Sequence, residues 1–203
     1  MTSYLTLARD ATAEVEVKRS RFLCTLRRVD DEDAARAVVA ELRAQHWDAR
    51  HHCSAFVIGP RSELQRSSDD GEPAGTAGAP MLEVLRGAGV SDVAAVVTRW
   101  FGGTLLGAGG LVRAYGDAVR GALVEAGTRR RVLLTELALV VGHTDAGRIE
   151  SELRTRGVEV LDVEYAATVR LLLGSTDPTV VEAHVAALTS GTGTVERVGE
   201  RWV

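Results

Sequence analysis

Residues 93–126 constrain the fold more than any other stretch. Val93-Ala-Ala-Val-Val97 is a short apolar run of the kind that forms a buried strand. It leads into Arg99-Trp-Phe-Gly-Gly-Thr-Leu-Leu-Gly-Ala-Gly-Gly110, after which Val112, Tyr115, Val119, Leu123 and Ala126 recur at helical spacing. The pattern is a strand, a glycine-rich turn and a helix with one apolar face. Glycines let backbone amides approach an anion, and a helix N-terminus adds partial positive charge. Arg99 and Arg113 flank the turn and could complete a phosphate site. The turn has no Gly-Lys-Ser/Thr, and it does not cleanly meet the Gly-x-Gly-x-x-Gly register of dinucleotide folds. Tight packing against a sheet explains its glycines about as well as a ligand does.

Upstream, residues 13–29 alternate and read as a strand or hairpin. Asp30 to Asp33 offer N-cap oxygens and first-turn negative charge to a helix, whose apolar face is Ala35, Val38, Val39 and Leu42. Residues 53–58 read as a strand ended by Gly59-Pro60. Residues 61–80 are polar and punctuated by glycine and proline, which predicts a long loop. Met81, Leu82 and Leu85 then predict a helix that stops at Gly87. Within the loop, Asp69, Asp70 and Glu72 could hold a hard cation, but their spacing misses the calcium-loop pattern. A turn held by Asx bonding and helix capping is the competing reading. His51-His52-Cys53 supplies at most two ligands on one strand face, so it makes no zinc site. Nothing near Cys53 marks an oxyanion hole, although pairing with His51 or His52 is conceivable.

Past Arg129-Arg130-Arg131 the order changes to strand 137–141, helix 145–156, strand 158–163, strand 168–173, helix 178–188 and strand 194–203. That βαββαβ order is the ferredoxin-like signature. Charge divides at the same place. Residues 1–131 carry 18 basic and 17 acidic side chains, and residues 132–203 carry 6 and 11. Two domains are therefore expected, 1–130 and 131–203. No apolar run approaches the roughly 18 residues that cross a bilayer. The N-terminal residues lack a secretory pattern, and two cysteines are too few for a disulfide scaffold, so a cytoplasmic location without membrane attachment is expected. No metal or cofactor is expected, and the sequence does not fix the oligomeric state.

Four motifs together resemble the YigZ/IMPACT family. They are Lys18-x-Ser20-Arg-Phe22, Ala49-Arg-His-His-Cys53, Asp69-Asp-Gly-Glu-Pro-Ala-Gly-Thr-Ala-Gly78 with Pro80, and Phe101-Gly-Gly-x-Leu-Leu-Gly-x-Gly-Gly-Leu-Val-Arg-Ala-Tyr115. Trp100 stands where the family usually has a smaller aromatic. The resemblance implies an α+β chain of two domains. The first would be a left-handed βαβ fold resembling domain IV of elongation factor G, the second a ferredoxin-like fold resembling its domain V. Eukaryotic members resemble translation regulators, and bacterial members imply a role in translation or RNA binding.

A non-enzymatic protein contacting RNA or the ribosome through the glycine/arginine-rich face of the first domain is the preferred reading. The alternative is a small-molecule enzyme that binds a phosphate or nucleotide at Gly102–Gly110. With aromatics at only 4%, phosphate-dominated or protein-mediated ribosome contact is favoured over base reading. The candidate binding residues are His51, Asp70, Gly71, Glu72, Thr76, Arg99, Gly102, Gly103, Gly107, Gly110 and Arg113. Asp70, Glu72, Thr76, Arg99 and Arg113 are expected within reach of one ligand. Internal pairing of Arg99 and Arg113 with Asp70, Glu72 or Asp117 competes with that expectation.

Overall fold

The computed structural model describes residues 2–203, which form two compact units, Ser3–Arg130 and Arg131–Val203. The first runs β1 (Ser3–Leu7), β2 (Ala11–Val17), β3 (Ser20–Arg28), α1 (Glu32–Gln45), β4 (His51–Ile58), β5 (Leu64–Ser68), α2 (Gly78–Ala88), β6 (Val93–Trp100) and α3 (Ala108–Ala126). The expected hairpin is β2 and β3, turned by Lys18 and Arg19 at φ 47° and 65°. α1 begins where its acids predict. Asp31 is the N-cap and accepts the Ala34 amide at 2.7 Å, while Glu32 and Asp33 sit at the positive end of the helix dipole.

The sheet order is β2-β3-β6-β4-β5, with every neighbouring pair antiparallel. α1 thus connects two parallel strands, β3 and β4, with β6 inserted between them. All of β6 but Trp100 is buried, because both faces of the sheet are covered. Val93, Ala95 and Val97 meet Met81 and Leu85 of α2 and Tyr115 and Val119 of α3. On the other face Ala94 meets Phe56, Ile58 and Ala35 of α1. Continuous burial explains why the segment reads as an unbroken apolar run.

β7 (Thr128–Val141) carries the chain into the second unit, followed by α4 (His143–Thr155), β8 (Glu159–Tyr165), β9 (Val169–Ser175), α5 (Pro178–Leu188) and β10 (Val195–Trp202). Its strands lie in the order β10-β7-β9-β8, all antiparallel. This is the ferredoxin-like arrangement that the βαββαβ pattern predicts. Leu137, Leu139, Leu171 and Leu173 form the inner face and pack on Ile149, Leu153, Val181 and Val185 of the helices. Pro178 sits in the first turn of α5 behind the Asp177 N-cap, which accepts the Thr179 amide.

Four sequence expectations need correction. Residues 61–80 are not one loop, because β5 pairs with β4 over five residues despite its polar sequence. An edge strand needs only one buried face, so the apolar signal is weak there. β1 was not anticipated. α2 continues through Gly87 to Ala88, and Gly89, in the left-handed conformation at φ 66°, ends it. On α3 the buried face is Leu111, Ala114, Tyr115, Ala118, Val119, Ala122 and Ala126, whereas Val112 is exposed. Among the described residues, no helix is long and apolar enough to cross a membrane.

The second core has a direct test. Leu171 is fully buried opposite Leu139, while Leu172 points to the other face of β9 and is only partly buried. Leu171→Ala is expected to cost about 2–5 kcal/mol. Leu172→Ala should cost clearly less, with urea denaturation comparing the two.

Candidate functional site

The site grows from one cross-strand row. In register, Arg99 of β6 lies between Phe22 of β3 and His51 of β4, and the side chains of all three point toward α2 and α3. Arg99 is only 5% exposed. A guanidinium so buried needs a counter-charge, and Glu72 supplies it through Nη1 to Oε1 at 2.5 Å. The Tyr115 hydroxyl donates to the same Oε1 at 2.7 Å. Phe22 and Phe101 flank the guanidinium, with ring centroids 5.2 and 5.6 Å from it. The Arg99 Nε–H is buried and has no hydrogen-bond partner among the described residues.

The loop between β5 and α2 holds Glu72 in place, and Asp69 organises that loop. Its carboxylate accepts the amides of Gly75 at 2.8 Å, Ala77 at 3.0 Å and Gly78 at 2.8 Å. It therefore caps α2, whose own N-cap residue, Ala77, has no side-chain oxygen to do so. Asp70 and Gly71 both take positive φ, 43° and 84°, and reverse the chain. The Asp70 carboxylate then pairs with Arg43 at 2.7 Å and accepts the His52 amide at 2.7 Å. The backbone carbonyl of Asp70 takes the Nδ1–H of His51 at 2.9 Å. That bond fixes the neutral ring as the Nδ1–H tautomer.

Burial has opposite consequences for the titratable groups around the loop. It pushes the Cys53 thiol up to about 12, and Cys53 Sγ lies 3.0 Å from the Asp69 carbonyl and 3.3 Å from the Tyr115 hydroxyl. Such a thiol is no nucleophile at neutral pH. Burial likewise raises Tyr115, and it lowers His52 with help from Arg43. For Asp69, burial pulls the carboxyl upward, but the three amide donors outweigh it and the net direction is down. Asp70 follows the same logic, with Arg43 and the His52 amide holding it below the ordinary range.

A cavity of about 360 Å³ opens beside the buried pair, lined by Arg50, His51, Glu72, Arg99, Phe101 and Leu105 and closed by the start of α3 at Gly107 and Ala108. Of the candidate binding residues, His51, Glu72, Arg99 and Gly107 face it. Asp70 and Gly71 lie outside the lining, packed against His51. Thr76 is buried and bonds the Pro73 carbonyl at 2.6 Å. Gly102 packs where a Cβ would meet the Arg19 backbone at 2.0 Å, so close approach, not a ligand, requires that glycine. Gly103 takes φ 84°, and Gly110 lies in the first turn of α3. Arg113 lines a separate groove with Pro80, Val84 and Arg120. The five-residue ligand set expected from sequence is thus not assembled, because only Glu72 and Arg99 meet, and they meet each other. Arg50, Phe101 and Leu105 escaped the sequence reading. The one available signal was an unusual pair of leucines between glycines. Among the described residues, no group of three or more His, Cys, Asp or Glu side chains could hold a metal ion.

Comparison with known proteins matches residues 18–123 to the Impact N-terminal domain and residues 139–193 to a domain of unknown function, DUF1949. The IMPACT family member YvyE of Bacillus subtilis is 44% identical over 82% of this chain and 77% of its own. YigZ of Escherichia coli, of the same family, is 46% identical over 84% of this chain and 85% of its own. A crystal structure described as that of a hypothetical protein aligns over 98% of both chains, with 41% identity and a TM-score of 0.69.

Two outcomes test this network. Glu72→Leu should cost about 3–5 kcal/mol because it strands a buried guanidinium, and Arg99→Met together with Glu72→Leu should cost less than the Arg99→Met and Glu72→Leu single changes combined. Chemical denaturation of the three variants checks it. Because Asp69 titrates lower when folded than when unfolded, its stabilising contribution is complete above the ordinary carboxylate range and is lost as pH falls through its folded value. Asp69→Asn should therefore weaken the acid dependence of thermal stability between about pH 5 and pH 2.

Proposed function

Since the chain belongs to the IMPACT family, we propose that it is a translation-related binding protein, cytoplasmic and non-enzymatic, that contacts RNA or the ribosome through one end of its N-terminal unit. The observation that carries this reading is a convergence of unpaired cations and exposed rings. The β2–β3 turn, the loop after β6 and the start of β4 meet at one sheet end, where the Arg19 Nη2 donates to Thr104 and Ser20 Oγ accepts the Gly102 amide. Lys18, Arg19 and Arg50 are exposed there with no acidic partner among the described residues. Arg21 stacks over Trp100 with its guanidinium carbon 3.8 Å from the ring centroid. Phe101 is 41% exposed, and Trp47, beside the Asp48 that accepts Trp100 Nε1, is 82% exposed. Free arginines engage phosphates and exposed rings stack bases, so the sheet end offers both kinds of contact.

Arg99 is not part of that surface. Its charge is spent on Glu72, as the internal-pairing alternative has it. Arg113, on the separate groove, has no acidic partner among the described residues. An enzyme acting on a small phosphorylated molecule at Gly102–Gly110 is the second reading, favoured by the cavity that Gly107 and Ala108 help to line.

Sedimentation with ribosomes or structured RNA across a salt series tests the first reading. Affinity should fall linearly in log–log terms as salt rises. Lys18→Ala and Arg19→Ala should each make the slope shallower by about one unit. Arg170→Ala, in an exposed pair with Glu164 on the second unit, should leave it unchanged. A slope that none of the N-terminal changes moves would sink the proposal.

A further inference from the structure

We infer that the cavity beside Arg99 is a binding site for the phosphate monoester of a nucleotide, with the phosphate at the start of α3 and the nucleoside against Phe101 and Leu105. Three independent features converge on it. The first is the orphaned donor. Arg99 is 95% buried and lines the cavity, and while its Nη1 is held by Glu72, its Nε–H has no partner. Buried donors are almost always satisfied, so one left open beside a cavity marks the place of an acceptor the protein does not supply.

The second is the open end of α3. This helix of 19 residues has no side-chain cap and no acid in its first turn. The amides of Gly110 and Leu111 turn back to the Gly107 carbonyl, whereas no acceptor for those of Ala108 and Gly109 is found among the described residues. Gly107 and Ala108 line the same cavity as Arg99, so the positive end of the helix dipole and the free Ala108 amide lie at its wall.

The third is the charge balance of the lining. Glu72, the one acid among the lining residues, has its charge offset by Arg99 and accepts the Tyr115 hydroxyl on the same oxygen. Arg50 stays exposed at the rim with no acidic partner among the described residues, and His51, its Nδ1–H committed to Asp70, has Nε2 left as an acceptor that suits a ribose hydroxyl. One free guanidinium plus a helix terminus suits a group carrying between one and two negative charges. A phosphate monoester fits that better than a carboxylate or the single charge of a chain-internal diester. The rest of the lining is apolar. Leu105, 83% exposed, and Phe101 form an uncovered shelf that a base can cover.

This inference rests on the RNA reading above only for its macromolecular source, a 5′-phosphorylated RNA end. A free nucleotide carries the same chemistry. The test uses the full chain with AMP, inorganic phosphate, and one short RNA prepared with a 5′-phosphate or a 5′-hydroxyl, read by calorimetry. AMP should bind more tightly than inorganic phosphate, and the 5′-phosphate should improve RNA binding about tenfold or more. Arg50→Ala should remove most of that preference. Ala108→Asp should remove it too, because the carboxylate suits the helix terminus and repels the phosphate, and unchanged thermal stability would confirm that it folds. AMP binding without RNA binding supports the site, identifies a free nucleotide as its ligand and removes the RNA reading. Ribosome association that ignores the 5′-phosphate, together with no binding of AMP, overturns the site and leaves the RNA surface standing. Equal binding of AMP and inorganic phosphate also overturns it, since the shelf would then contact nothing.

Discussion

The ion pair between Arg99 and Glu72 is the constraint around which the N-terminal unit is arranged. Two charges taken out of water are costly, and their mutual attraction offsets that cost only when geometry and further hydrogen bonds are right. Here the strand supplies one partner and a loop the other. Glu72 must be delivered to a fixed point above the sheet, and nearly every feature of the loop serves that delivery. Asp69 gathers three amides, Asp70 and Gly71 reverse the chain, and Thr76 ties back to the Pro73 carbonyl. Tyr115 then links the same carboxylate to α3. Strand, loop and helix are joined through one oxygen atom.

That arrangement also separates the arginines into two populations. Those near an acid are neutralised locally, as Arg43 is by Asp70 and Arg120 by Asp117. Most such pairs are exposed and contribute little to stability individually. Lys18, Arg19 and Arg50 stand apart, gathered by the sheet register at one end of the unit. A chain whose formal net charge is −4 can therefore present a cationic end. The local field, not the net charge, decides what such a surface attracts.

The glycines likewise divide by physical cause. Gly102 is required because the Arg19 backbone passes where its Cβ would be, and Gly78 because β5 passes close to the start of α2. Gly103 and Gly107 are required by positive φ, at 84° and 72°. Gly109 meets nothing closer than 3.9 Å, and it has one of the two open first-turn amides. A glycine-rich motif thus contains packing residues and a residue that leaves the backbone accessible, side by side.

The sequence by itself determined the element order apart from β1 and β5, the two-part α+β organisation and the ferredoxin-like second unit. Those depend on period and punctuation, which are local: Asp31 caps α1, Pro178 opens α5, and Gly157, at φ 80°, follows α4. It also singled out His51, Glu72, Arg99 and Gly107, which the structure places along one cavity. Their relationship was not legible. Whether Arg99 met a phosphate, Asp70 or Glu72 depended on which loop residue the strand register and the Asp69 turn brought above it, and those contacts span 27 residues of chain. Only the tertiary structure decided that Arg113 points into another groove, that β5 is a strand, and that Arg50 and Phe101 belong to the cavity. Pairing across a sheet and closure of a loop are long-range choices, and no local spacing encodes them.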